Sequence, residues 1–314
     1  MNFKITFVLF VLLINAHYAH SQIGLQPPGS SFEFYDMSEE SGRDDYFVLA
    51  KGPYNWSYLN DRNGGQFKNR FMGINILAGR KADNKKYLNF VYGITINESS
   101  STTPSPTDPS YTLDRRASNL GGNVGYTISH DEKQLTTVSC DLSWGTDGYT
   151  DQAATNRDYS NSTSGFRYGF TVNHINQAWE NRKNSHPHSG KIFANAQASF
   201  MKNDITTSRI YSAGFIAYPF TFGNSNAAGP YINGESNNSF NYKQKYFEVG
   251  FKSSFILGLG NVSAGMRYYK IDDILENTDY TGGCSFNITA GIDTGVLSGF
   301  LNALFRGELQ NFKL

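Results

Sequence analysis

From about Phe71 onward, apolar and polar residues alternate with a period of two, in runs closed by short polar segments. In Tyr87 to Ile96, Leu88, Phe90, Tyr92, Ile94 and Ile96 share one face, while Asn89, Gly93 and Thr95 share the other. Asn119 to Ser129 sets Leu120, Val124, Tyr126 and Ile128 against Asn119, Gly121, Asn123, Gly125 and Thr127. The same alternation runs through Gln134 to Trp144, Gly165 to His174, Val262 to Tyr269 and Cys284 to Ile292. Successive side chains of a strand point to opposite faces, so recurring period-two runs predict strands. Less regular candidates over 71–79, 191–201, 209–220, 246–257 and 297–309, with short ones near both termini, bring the expected total to about twelve.

The connections come in two sizes. Short ones cover 80–86, 130–133, 202–208, 258–261 and 293–296; long polar ones cover 97–116, 145–164, 176–190, 221–239 and 272–283. A soluble β-sandwich has short turns at both ends, whereas a transmembrane barrel has short periplasmic turns and longer extracellular loops. The long connections therefore favour an antiparallel transmembrane β-barrel with long extracellular loops. The stretch from Gly145 to Ser239 breaks the rule, because one clear strand lies between two long connections. Either one long connection faces the periplasm or a strand is hidden there.

Composition agrees with this pattern. Charged residues make up 17% and aromatics 15%, yet mean hydropathy is −0.45, so Asn, Ser, Thr, Gln and Tyr carry the polarity. A helical bundle would want Ala, Leu, Glu and Lys, and disorder would want few aromatics. The 27 Lys and Arg balance 27 Asp and Glu, so no basic excess attracts nucleic acid. Alternation reconciles low hydropathy with scarce charge: the apolar face meets lipid, and the Gly, Asn, Ser and Thr face suits a wet lumen. Tyr87, Tyr92, Trp144, Tyr168, Tyr218, Tyr246 and Tyr268 are expected at the membrane interface, where a ring with one polar tip is favoured. Cys140 and Cys284 fall on the apolar face and are expected to be unpaired buried thiols.

At the N-terminus, Lys4, the apolar run Ile5 to Ile14 and Ala19-His20-Ser21 predict a cleaved secretory signal over 1–21. Ten apolar residues are too few for a spanning helix, which needs about 20. The cut before Gln22 resembles that of exported Bacteroidota proteins. At the other terminus, Phe312-Lys313-Leu314 resembles the terminal strand signal of bacterial outer-membrane barrels, departing from it by ending on Leu instead of an aromatic residue. The resemblance implies a Gram-negative outer-membrane protein with its barrel over 68–314. Residues 22–67 would be a lead-in, a plug or a first hairpin.

Candidate chemistry is thin. His186 and His188 could grip a metal, but without a third ligand the pair reads as a solvated loop. Neither a phosphate-binding loop nor a nucleophile–base set is evident, so no catalytic residue and no cofactor is expected. Alternation instead points Asp141, Arg167, Glu248, Lys252, Arg267, Arg306 and Glu308 into the lumen. Those charges are either a network of ion pairs filling the tube or a polar constriction that selects solutes. The first function this suggests is a narrow porin-like channel or transporter for small polar solutes. The alternatives are a non-conducting scaffold or adhesion barrel whose loops bind glycans or proteins, and a secreted soluble β-sandwich binding protein. Outer-membrane lipid is the partner common to the two barrel readings.

Overall fold

The computed structural model describes residues 35–36, 46–51, 53–61, 66–80, 90–104, 111–130, 133–151, 160–179, 186–202, 207–223, 225–239, 242–256, 258–273 and 279–293. Among the described residues there is no helix. The strands are β1 (Tyr35–Asp36), β2 (Tyr46–Lys51), β3 (Pro53–Asp61), β4 (Gln66–Arg80), β5 (Phe90–Pro104), β6 (Thr112–His130), β7 (Gln134–Asp151) and β8 (Ser160–Gln177). They continue with β9 (Lys191–Lys202), β10 (Thr207–Ala217), β11 (Phe220–Phe222), β12 (Asn226–Ser239), β13 (Tyr242–Phe255), β14 (Gly260–Asp273) and β15 (Asp279–Asp293).

Every pairing is antiparallel, and the sheet closes on itself. β3 to β10 pair in sequence, β12 to β15 continue the circuit, and β15 returns to β3. The result is a closed barrel of twelve strands, which leaves no long free edge. β2 and β3 meet β4 in one register (Lys51↔Asn75, Tyr54↔Met72), and β1 pairs the outer edge of β2. β11 pairs the start of β12.

Strand direction places the β6–β7 and β13–β14 connections at one end, called here the turn end. The β8–β9 connection lies at that end too. The irregularity in the sequence pattern is thereby explained: 221–239 is not one long loop but holds β12. That strand hides because its inner face is Ala227, Gly229, Tyr231, Asn233 and Glu235, and its outer face includes Pro230 and Gly234. Pro in a central strand normally argues against strand, yet ladders to β10 and β13 hold this one. The polar stretches 97–116, 145–164 and 272–283 are also partly strand, since β6 reaches 19 residues and β7 and β8 each 18. A membrane needs only about 10 residues per strand. Beyond that belt both faces meet water, so the hydrophobic alternation stops while the hydrogen-bond ladder continues.

The outer face is apolar, with Phe90, Ile94, Leu120, Val124, Leu142, Phe170, Phe251 and Ile288 among its exposed side chains. So continuous an exposed apolar surface calls for lipid. Trp144 packs edge-on against Phe166 (4.8 Å), Tyr168 stacks on Phe200 (5.7 Å), and Phe200 meets Tyr211 edge-on (5.7 Å). These rings cross four neighbouring strands as an aromatic girdle does. Tyr92, Trp144, Tyr168 and Tyr268 point outward; Tyr87 lies outside the described residues.

Tyr218 and Tyr246 do not belong to this girdle; both are buried inside the barrel. Tyr246 has the same parity as Glu248 and so must share its face. Tyr218 sits at the break between β10 and β11, before Pro219, where parity no longer predicts direction. The cysteines are unpaired, but the expectation of burial fails. Cys140 is exposed on the outer face and Cys284 is half-exposed.

Candidate functional site: the barrel lumen

Three parts of the lumen differ in chemistry. The first is the wall of β12, β13 and β14. Register places Asn233, Glu248 and Arg267 side by side in one row. Arg267 donates from Nε and Nη2 to Glu248 Oε2, both at 2.8 Å. The Tyr231 hydroxyl donates to Oε1 of the same carboxylate. The guanidinium lies 3.9 Å from the centre of the Tyr246 ring, and Asn233 Nδ2 donates to the Tyr246 hydroxyl at 3.2 Å. Glu248 and Arg267 are 0% and 1% exposed. A desolvated pair survives only with such extra hydrogen bonds on its remaining atoms.

Glycine makes the arrangement possible. Gly250 and Gly265 face each other across β13 and β14, one inward position from the ion pair. A Cβ at either would stand 2.6 or 2.5 Å from the Tyr231 hydroxyl oxygen. The two glycines thus form a slot that lets the Tyr231 ring lie along the wall and reach Glu248. Lys252, on the same face, is also buried.

The second part is the wall of β5 to β9. Here Asp141 is half-buried and accepts hydrogen bonds from the hydroxyls of Thr171 and Ser139, the latter at 3.3 Å. It has no ion-pair partner among the described residues. Arg167 is buried nearby with Nη2 3.8 Å from Met201 Sδ. Gly93, Gly121 and Gly125 let neighbouring groups close in on this wall, since a Cβ at any of them would stand 2.1–2.2 Å from a neighbouring atom.

The third part is an apolar layer at the turn end. Leu77, Val91, Leu135, Ile175, Phe193, Ile216, Tyr218, Ala227 and Tyr231 supply it from seven strands and the β10–β11 break, with Ile175 joining its two clusters. The segment 186–190 folds against it. His188 packs on Phe193 (5.0 Å) and Tyr218 (5.7 Å). His186 shares a 3.1 Å hydrogen bond with Ser254 on β13. Main-chain bonds from Gly190 N to Tyr218 O and from Tyr218 N to Lys191 O fasten the segment. Both histidines are buried, which corrects the reading of a solvated loop. Among the described residues no three metal-ligating side chains gather.

Of the charges expected in the lumen, Asp141, Arg167, Glu248, Lys252 and Arg267 all point inward. Arg306 and Glu308 lie outside the described residues. The structure joins Glu248 to Arg267 and leaves Asp141 on a different wall. Tyr231, Asn233 and Glu235 were missed with β12. Tyr246 could have been found from the parity it shares with Glu248.

No protein-family model matches the chain, and no curated protein matches it. Among solved structures, the β domain of the Bordetella autotransporter BrkA is similar at 14% identity, over 77% of this chain and 99% of that one, with a TM-score of 0.39. The transport unit of the Escherichia coli autotransporter AIDA-I shows 11% identity over 84% of this chain and 93% of that one, with a TM-score of 0.38. The translocator domain of NalP from Neisseria meningitidis shows 12% identity over 81% and 91%, with a TM-score of 0.37. The barrel assignment itself rests on the closed strand pairing described above.

Proposed function

We propose that this chain is an exported, integral outer-membrane β-barrel, closed to free diffusion at rest, that acts as a scaffold presenting its far end to extracellular glycans or proteins. The apolar layer at the turn end carries this reading. Eight of its nine residues are buried and Ile175 is partly so, seven strands contribute to it, and the 186–190 segment completes it. An apolar constriction of this kind opposes ion passage by dewetting. The extended β6, β7 and β8 supply the presenting surface, braced by hydrogen bonds such as Thr102 to Asp114 (2.7 Å) and Ser118 to Thr146 (3.1 Å).

Planar-bilayer recording tests the closure. Wild-type barrel, shown to be folded by heat-modifiable gel mobility, should give no steady conductance. The double variant Phe193→Ala, Tyr218→Ala should conduct, because it opens the layer. Steady wild-type conductance would overturn the reading and favour the second one, a narrow channel for small polar solutes. The half-buried Asp141 carboxylate supports that second reading, in which Asp141→Asn lowers cation selectivity.

A further inference from the structure

We infer that the outer wall of β9, β10, β12, β13 and β14 binds the phosphates of an outer-leaflet glycolipid where the barrel leaves the membrane at its far end. On four of these strands the outward apolar series ends in an aromatic ring, and the next outward position toward the far end is a cation. Phe200 gives way to Lys202, Tyr211 to Arg209, Phe247 to Lys245 and Tyr268 to Lys270, and all four cations are exposed. Aromatic rings mark the membrane interface, so the cations stand just beyond it, at headgroup level. Between them, β12 sets Asn238 opposite Arg209 and Ser236 opposite Lys245. The band is confined to this arc and to this end. On β6, β7 and β8 the positions beyond Leu120, Trp144 and Phe166 are Ser118, Thr146 and Ser164. At the turn end, β9, β10, β13 and β14 carry Ile192, Phe215, Ser253 and Val262 on the same face. One step farther from the membrane, register sets Lys243 against Asp272, which adds no net charge.

The four cations form two pairs. Lys245 and Lys270 stand directly opposite each other. Like charges so placed repel, and an anion seated between them removes the repulsion. Lys202 and Arg209 are diagonal neighbours, because Lys202 is opposite Thr207 and Arg209 is opposite Phe200. Since β12 lies between β10 and β13, the pairs are at least about 10 Å apart, two interstrand spacings. A headgroup with two phosphates can reach both pairs, whereas a single phosphate reaches one. Arg209 offers a planar fork of donors that suits a phosphate, and Ser236 and Asn238 add neutral donors between the pairs. The assignment rests on the far end facing the cell exterior, as in the reading above, and is indifferent to whether the lumen is closed.

Native mass spectrometry of the full barrel in detergent micelles tests the site. The probes are diphosphoryl lipid A, monophosphoryl lipid A and phosphatidylglycerol. Wild type should retain one diphosphoryl lipid A, in preference to the monophosphoryl form and to phosphatidylglycerol, and millimolar inorganic phosphate should not displace it. The double variants Lys202→Gln, Arg209→Gln and Lys245→Gln, Lys270→Gln should each weaken retention at least about tenfold, the effect of two cations at a lipid surface. Each should also abolish the preference for the second phosphate. Arg116→Gln, an exposed cation on β6 outside the arc, should leave retention unchanged. Heat-modifiable mobility confirms that each variant is folded. Equal retention of all three lipids, or unchanged retention in both folded double variants, would overturn the site. Conductance by a barrel that still retains diphosphoryl lipid A defeats only the proposed closure. A silent barrel that retains none defeats only this site.

Discussion

The two walls of the lumen use the same alternation and treat charge in opposite ways. On β12 to β14, Glu248 is matched by Arg267, Tyr231 closes over its second oxygen, and solvent is shut out. On β5 to β9, Asp141 is matched only by hydroxyls and remains half-accessible. The difference comes from cross-strand register. Glu248 stands directly opposite Arg267, whereas Asp141 stands between Asn123 and Gly169. A charge pointing inward is structural or available according to which residue its neighbouring strand places beside it.

The sharpest way to break this comparison is to remove Glu248. Glu248→Ala leaves Arg267 charged, buried and without its carboxylate, a change that costs about 3–5 kcal/mol in buried pairs. Urea unfolding of the barrel in lipid vesicles, followed by gel mobility, should show that loss. The triple replacement Glu248→Leu, Arg267→Met, Tyr231→Phe should recover most of it, since apolar substitutes for a buried ionic group are often neutral or better. If Glu248→Ala proves as stable as wild type, the wall is wetter than its geometry implies.

How much of this is legible in the sequence follows the same line. The faces of β5 to β8, β14 and β15 were readable because outward apolar residues alternate with Gly, Asn, Ser and Thr. Five inward charges followed from parity alone. β12 was not readable: Pro230, Gly229 and Gly234 belong to the turn vocabulary, and its function is to carry Tyr231, Asn233 and Glu235 inward. The burial of His186 and His188 was also hidden, because it depends on a connection folding back over Phe193 and Tyr218, which no local pattern encodes. Pairing between charges needs register, and register needs the whole strand order. Asp141 and Glu248 were therefore indistinguishable in the sequence.

A smaller effect sharpens the sealed wall. Gly265→Ala sets a methyl group 2.5 Å from the Tyr231 hydroxyl oxygen, and overpacking of this kind costs about 1–3 kcal/mol. The ring must leave its slot, and Glu248 then loses one hydrogen bond. In a Tyr231→Phe background the clashing oxygen is gone, so the same substitution should cost less. A double-mutant cycle from the unfolding midpoints reads that coupling directly. Additive losses would mean that Gly265 is required by the backbone and not by the tyrosine.

The smallest expected effect belongs to the open wall. Asp141→Asn keeps the shape of the side chain and an oxygen that can accept from Thr171 or Ser139, and it breaks no ion pair among the described residues. Its effect on stability should therefore stay within about 0.5–1 kcal/mol, the range of changes that leave no buried group stranded. The same unfolding assay that reports a large loss for Glu248→Ala supplies the contrast. A large loss at Asp141 would show that the carboxylate's two hydroxyl contacts carry more of the wall's stability than their geometry implies, and the contrast with the sealed wall would shrink accordingly.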